Sequence, residues 1–174
     1  MSNPMKEIKI EKLTLNIGSG KDQKELEKAT KLIKNITGMD PVTTKTDKRI
    51  AAWGLRPGLP IGAKLTLRGE VAEKLLARLL GAKDNLLPIN HFDNLGNIAF
   101  GIPEYIDIPG VEYDPSIGVF GLQACVTLGR PGFRVKRRRV RPGKIGKLHS
   151  ISKEEAIAFM KEKFSIKTEE EDEL

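Results

Sequence analysis

Apolar and polar residues alternate along residues 7–17, EIKIEKLTLNI, and the alternation changes phase once: Ile8 and Ile10 share one phase, Leu13, Leu15 and Ile17 the other. A period of two predicts a strand, and the slip at Glu11-Lys12 predicts a bulge within it, leaving Lys12, Thr14 and Asn16 on the polar side. Past Gly18-Ser19-Gly20 the period lengthens. Asp22 stands as a helix N-cap with Glu25 three residues on, and Leu26, Ala29, Ile33 and Ile36 form one apolar stripe that stops at Gly38. That pattern predicts an amphipathic helix covering one side of a sheet. Residues 41–46, PVTTKT, are short and β-branched, and predict a second strand.

Residues 63–68, AKLTLR, alternate strictly, so Ala63, Leu65 and Leu67 turn into the core and Lys64, Thr66 and Arg68 turn away. The preceding residues 53–62, WGLRPGLPIG, hold two prolines and three glycines, which exclude a regular helix and predict a mobile loop with exposed apolar tips. Val71, Ala72, Leu75, Leu76, Leu79 and Leu80 then recur at helical spacing up to Gly81, read as the glycine just past the helix end. Turn signals crowd residues 84–116, with one regular piece, a strand at 97–102 that puts Ile98, Phe100 and Ile102 on one face. Residues 117–128, IGVFGLQACVTL, are the most apolar run and predict a central strand, with Phe120, Leu122, Ala124, Val126 and Leu128 inward and Gln123, Cys125 and Thr127 outward. Ser152 with Glu155 forms a capping box that opens a last helix bearing Ala156, Ile157, Met160 and Phe164.

These elements describe an α+β fold: a mixed, mainly antiparallel sheet with helices packed on one face and the other face open. One domain over residues 1–165 is expected, followed by an acidic, disordered tail at 166–174.

Charge changes the picture. The net charge is +7, and setting aside the five acidic residues Glu169 to Glu173 leaves the body at +12, an excess that calls for a polyanionic partner. It is displayed unevenly. Residues 48–69 hold five basic residues and no acidic one, and residues 129–149, GRPGFRVKRRRVRPGKIGKLH, hold nine Lys or Arg and no Asp or Glu. Prolines and glycines forbid a continuous helix in the second segment, so Arg130, Arg134, Lys136, Arg137, Arg138, Arg139 and Arg141 are expected on an extended loop, mobile until a polyanion neutralises it. Phe133 within it either stacks on a base or anchors the loop. No apolar run approaches the roughly 20 residues of a membrane span, and MSNPMKEIKI lacks a signal peptide's apolar stretch, so a cytoplasmic protein without a membrane partner is expected.

Catalytic chemistry finds no footing. Cys125 is the lone cysteine, and His91 and His149 are far apart, which leaves no thiolate or imidazole cluster for a metal. Gly18-Ser19-Gly20-Lys21 has Leu15 where a phosphate loop needs glycine and Asp22 where it needs a hydroxyl. Gln23 likewise occupies the third glycine of a dinucleotide fingerprint. No enzyme activity and no cofactor are expected. What assembles is a face of Lys12, Thr14, Asn16, Lys64, Thr66, Arg68, Gln123 and Thr127, suited to RNA: cations for phosphates, amides and hydroxyls for ribose and base edges, Trp53 or Phe133 for stacking. The rival readings are a module that sets its basic loops on acidic proteins, and a nucleotide-dependent enzyme using Lys21.

Four separated motifs, EKLTLNIGSG, ITGMDPVTTKT, LRPGLPIGAKLTLRG and GNIAFGI, closely resemble the large-subunit ribosomal protein five family over about residues 5–165. GRPGFRVKRRR and SKEEA resemble its archaeal and eukaryotic branch. The resemblance implies a non-catalytic ribosomal protein that binds 5S rRNA in the central protuberance, beside large-subunit rRNA and other proteins of that region. It also implies contact with P-site tRNA through the loop Arg56, Pro57, Gly58, Leu59 and Pro60, and a bridge to small-subunit ribosomal protein thirteen. By motif, Asn16, Trp53 and Thr66 fall on RNA-contact positions, with Lys12, Thr14, Lys64, Arg68 and Met39 around them. Trp53 replaces the usual phenylalanine, Met39 stands where the bacterial pattern has glutamine, and Pro57 follows the loop arginine where a polar residue is usual.

Overall fold

A computed structural model describes residues 3–168. Five strands, β1 (Lys9–Gly18), β2 (Val42–Lys45), β3 (Pro60–Leu67), β4 (Asn97–Ile102) and β5 (Leu122–Gly129), form one sheet in the order β2-β3-β1-β5-β4. Three helices, α1 (Gln23–Thr37), α2 (Glu70–Gly81) and α3 (Lys153–Phe164), supply the second layer. All four strand pairings are antiparallel, so the parallel part of the expected mixed sheet is absent. Among the described residues the parallel pairing is a single bridge, Leu86 with Lys167.

The phase slip in the first strand has a structural cause. The β1–β5 register shifts between Ile10 and Lys12, which turns Leu13, Leu15 and Ile17 onto the same buried side as Ile10. Those three side chains are at most 2 % exposed and face Leu32, Ile33, Leu76 and Leu79 of α1 and α2. Ala63, Leu65 and Leu67 from β3, Ile98, Phe100 and Ile102 from β4 and Ala124, Val126 and Leu128 from β5 complete the same core. α3 adds Ala156 and Met160, both fully buried, and its capping box forms with Ser152 and Glu155 bonding reciprocally.

Several boundaries differ from expectation. β3 begins at Pro60, not Ala63; as the first residue of the strand Pro60 can pair with Lys45 although it has no N–H to give. β5 begins at Leu122, not residue 117, because Gly118 takes φ +79° and Phe120 spends its carbonyl on the Tyr105 N–H. Gly81 is the last residue of α2 rather than the glycine beyond it, and the chain leaves the helix through Asp84 and Asn85 at positive φ. A Cβ at 81 would lie in ordinary contact with the Pro109 ring, at 3.4 Å. Val71 is exposed, not part of the apolar stripe. The turn-rich stretch is itself packed: Tyr105, Ile108 and Ile117 are 1 % exposed, and the Tyr105 hydroxyl accepts the Asp114 N–H at 3.0 Å.

The chain remains attached to the body beyond residue 165. Ile166 is buried, the Lys167 N–H donates to Asn85 O at 2.7 Å, and the Leu87 N–H donates to Lys167 O at 2.9 Å. The acidic run at 169–173 lies outside the described residues.

Candidate nucleic-acid interface

Strand alternation that buries one side must present the other, and here no helix covers it. Register across the sheet builds three rungs. The first runs Val42, Lys64, Asn16, Gln123, Gly101; the second Thr66, Thr14, Cys125, Ala99; the third sets Lys12 beside Thr127 and Asn97, with Arg68 following β3. None of these side chains is buried and none is acidic. Asn16 and Thr66 therefore share one surface on neighbouring rungs, and the Asn16 amide donates to Gln123 Oε1 at 3.5 Å. Asn97 joins the face without having been expected there, although the alternation of NIAFGI already marks it as outward.

At the Gly18 end of β1 the β2–β3 hairpin continues past the sheet. The Thr46 N–H donates to Leu59 O and the Gly58 N–H to Thr46 O, at 2.9 and 2.8 Å, and Ile50 and Leu55 bond each other across a tight turn. The expected mobile loop is thus a hydrogen-bonded hairpin arm, with Gly54 and Gly58 supplying its left-handed turns. Its apolar residues divide. Leu55 is buried, Leu59 and Pro60 are half-buried, and Trp53 is 67 % exposed beside exposed Arg56, Pro57 and Gly58. Met39 is exposed in the link between α1 and β2, at the sheet's β2 edge.

The basic segment leaves β5 at the opposite end of the face, and its first arginine corrects the expectation for it. Arg130 is buried. Its Nε donates to Lys6 O at 3.0 Å, Nη1 to His149 O and Ser150 O at 3.3 and 3.1 Å, and Nη2 to Glu155 Oε1 at 2.8 Å. A guanidinium so occupied offers nothing to a phosphate; it clamps both ends of the segment to the N-terminus and α3. Arg137 is likewise paired, with Glu11 at the bulge. The expectation that these charges lack internal counterions fails at both positions.

Phe133 is buried, edge-on to His149 at 5.7 Å, with the Lys136 ammonium 4.6 Å above its ring, so it anchors the loop rather than stacking on a base. Exposed Arg134, Arg138, Arg139 and Arg141 make no ion pair among the described residues. The Arg138 Nε donates to Arg141 O at 2.7 Å, which folds the tip back on itself.

Arg130 holds the Glu155 carboxyl below its ordinary value of 4.5, chiefly by the hydrogen bond between them. A depressed carboxylate stabilises the fold above its unfolded value and loses that contribution as pH falls through the lowered folded value. With the Glu155 side chain 45 % exposed and solvent-screened, the loss should stay under about 1 kcal/mol. Acid denaturation of Glu155→Gln should show a shallower decline below pH 4.5 than the parent; an unchanged acid limb would remove the link.

The Ser19 N–H of the Gly18-Ser19-Gly20 turn donates to Ile61 O at 3.0 Å and is not available to a phosphate. Among the described residues no group of three or more His, Cys, Asp or Glu could hold a metal ion, and no helix is long and apolar enough to cross a membrane.

Known proteins match this chain along nearly its whole length. The family described as Ribosomal protein L5 matches residues 3–56, and the C-terminus of the same ribosomal family matches residues 60–167. The large ribosomal subunit protein uL5 of Nanoarchaeum equitans is 50 % identical over 167 residues, covering 95 % of this chain and 98 % of the relative. The same protein of Sulfurisphaera tokodaii is 46 % identical, covering 94 % of this chain and 93 % of the relative. That of Methanosphaera stadtmanae is 42 % identical, covering 96 % and 99 %. With both halves matched in register and the fold's uncovered face built from the matching strands, the chain belongs to the ribosomal protein L5 family.

Proposed function

We propose that the protein is a structural constituent of the large subunit of the cytoplasmic ribosome, without enzymatic activity, that binds 5S rRNA on the open face of its sheet and helps attach it in the central protuberance. The observation that carries this reading is the three-rung surface of cations, amides and hydroxyls, met by a carboxylate only at its β4 edge, where the Asn97 amide donates to Asp93 Oδ2 at 3.2 Å. A-form RNA offers a shallow minor groove lined by ribose hydroxyls and flanked by phosphates. A sheet face that alternates Lys or Arg with Asn, Thr and Gln complements both. Around it lie large-subunit rRNA, met by the exposed arginines of the basic segment, and P-site tRNA, met by the hairpin arm at Arg56, Pro57 and Gly58. The arm's internal hydrogen bonds support the second assignment, since a contact made at the end of a projecting arm needs the arm held in place. A bridge to small-subunit ribosomal protein thirteen completes the set of partners.

Filter binding with a 5S rRNA transcript and an unrelated RNA of equal length tests the face. Asn16→Ala combined with Thr66→Ala should weaken the 5S complex roughly tenfold or more, as expected for about 1–3 kcal/mol of lost hydrogen bonding, and spare the unrelated RNA. Equal losses on the two RNAs would defeat the assignment of specificity to this surface.

A further inference from the structure

We propose that the cleft at the end of the sheet, where β1 and β4 stop and β5 begins, is a slot for a single unstacked nucleotide of the RNA on the open face. The inference rests on the RNA reading above and adds which part of the RNA the surface takes. The cleft is an open depression of about 490 Å³, continuous with the Asn16–Gln123–Gly101 rung.

Two of its glycines carry the argument. A side chain at Gly121 would strike the backbone, with Pro103 O at 2.9 Å and Ile102 O at 3.1 Å, so packing explains that residue. Nothing similar explains Gly101 or Gly18. Neither has positive φ, and a Cβ at either would meet no atom within 4 Å. Glycine weakens a strand interior, and where neither conformation nor packing calls for it, close approach of another molecule to the backbone is a reason for it to stand there. What the missing side chains leave here is the slot.

The remaining walls suit a nucleotide. The Asn16 and Gln123 amides touch each other only through one bond at the limit of hydrogen-bonding length, so most of their donors and acceptors stay available to a base edge. Lys83, just beyond α2, comes to the cleft from the helix side and has no ion-pair partner among the described residues. A lysine at this rim can meet a phosphate of an RNA strand that enters the cleft. The mixture of amide edge, bare backbone wall and one cation is the recognition chemistry of an unpaired nucleotide, not of a helical stem, whose bases stay stacked.

The test fills the slot without touching the core. Position 101 lies on the outward side of β4, so Gly101→Leu should not lower the thermal midpoint. On a 5S rRNA transcript it should weaken binding about tenfold, the scale of one lost base contact. One or two nucleotides protected from chemical modification by the parent should become reactive. Lys83→Gln, outside the sheet, should lower the salt slope of binding by about one, and it decides the matter should Gly101→Leu prove unstable. Parent-like affinity and protection in both variants, with the Asn16/Thr66 double variant still weak, would overturn the slot and leave the RNA face standing. A parent protein with no preference for 5S rRNA over unrelated RNA would bring down the RNA reading, and the slot with it.

Discussion

Replacing Arg130 with alanine is expected to lower the folding free energy by about 3 kcal/mol, since hydrogen bonds from a buried charged group contribute roughly 1.5–3 kcal/mol each and water reaching the part-buried acceptors recovers much of the sum. Three carbonyls, those of Lys6, His149 and Ser150, lose their donor together, and Glu155 loses its partner. For a domain of this size the thermal midpoint should fall by roughly 6–12 °C. Arg130→Lys should recover little, because one ammonium cannot span acceptors that a planar fork reaches in three directions. Hydrogen exchange should separate this from a general loss of stability: amides between Phe133 and Ser150 should open first, since Arg130 clamps that segment at both ends. A loss below 1 kcal/mol in equilibrium unfolding would mean that water replaces the guanidinium without cost, and the clamp would not exist.

Neutralising Arg134, Arg138, Arg139 and Arg141 together to glutamine should flatten the salt dependence of RNA binding while leaving stability within about 1 kcal/mol, because none of the four is buried or ion-paired among the described residues and the Arg138–Arg141 bond that is lost is exposed. Each phosphate contact contributes roughly 0.9 to the slope of log affinity against log salt. Four lost contacts therefore reduce the slope by roughly 3.6, and between 50 and 200 mM salt the variant should lose roughly a hundredfold less of its affinity than the parent. Arg130 and Arg137 serve as the contrast. Both belong to the same basic run, yet both are engaged within the protein, so their contribution to the slope should be small and their contribution to stability larger. A four-charge variant with the parent's slope would show that the exposed arginines do not meet phosphate.

How much could be read beforehand varies by element. β1, with its bulge, and the outward sets on β1, β3 and β5 follow from alternation, because a period of two against a buried layer leaves each residue one side to take. The first rung was likewise implicit in sequence, but its assembly was not. Lys64, Asn16 and Gln123 lie on strands that are neighbours only after a helix, a hairpin and a long turn-rich segment have been folded away. The hairpin arm misled for a physical reason. Glycines and prolines that rule out a helix also build tight turns, and composition cannot tell an open loop from one whose backbone groups bond across it.

Sequence by itself determined the two-sided sheet, the helical stripes that cover one side, and the family likeness, since these depend on residue type and spacing along the chain. Tertiary structure alone decided which of the basic residues are free. Arg130 and Arg134 look alike in the sequence, but one is closed over by Lys6, His149, Ser150 and Glu155 and the other stands in solvent. Charge is a property of the residue, whereas its availability depends on which distant carbonyls and carboxylates the fold brings within hydrogen-bonding distance, and no local pattern carries that information.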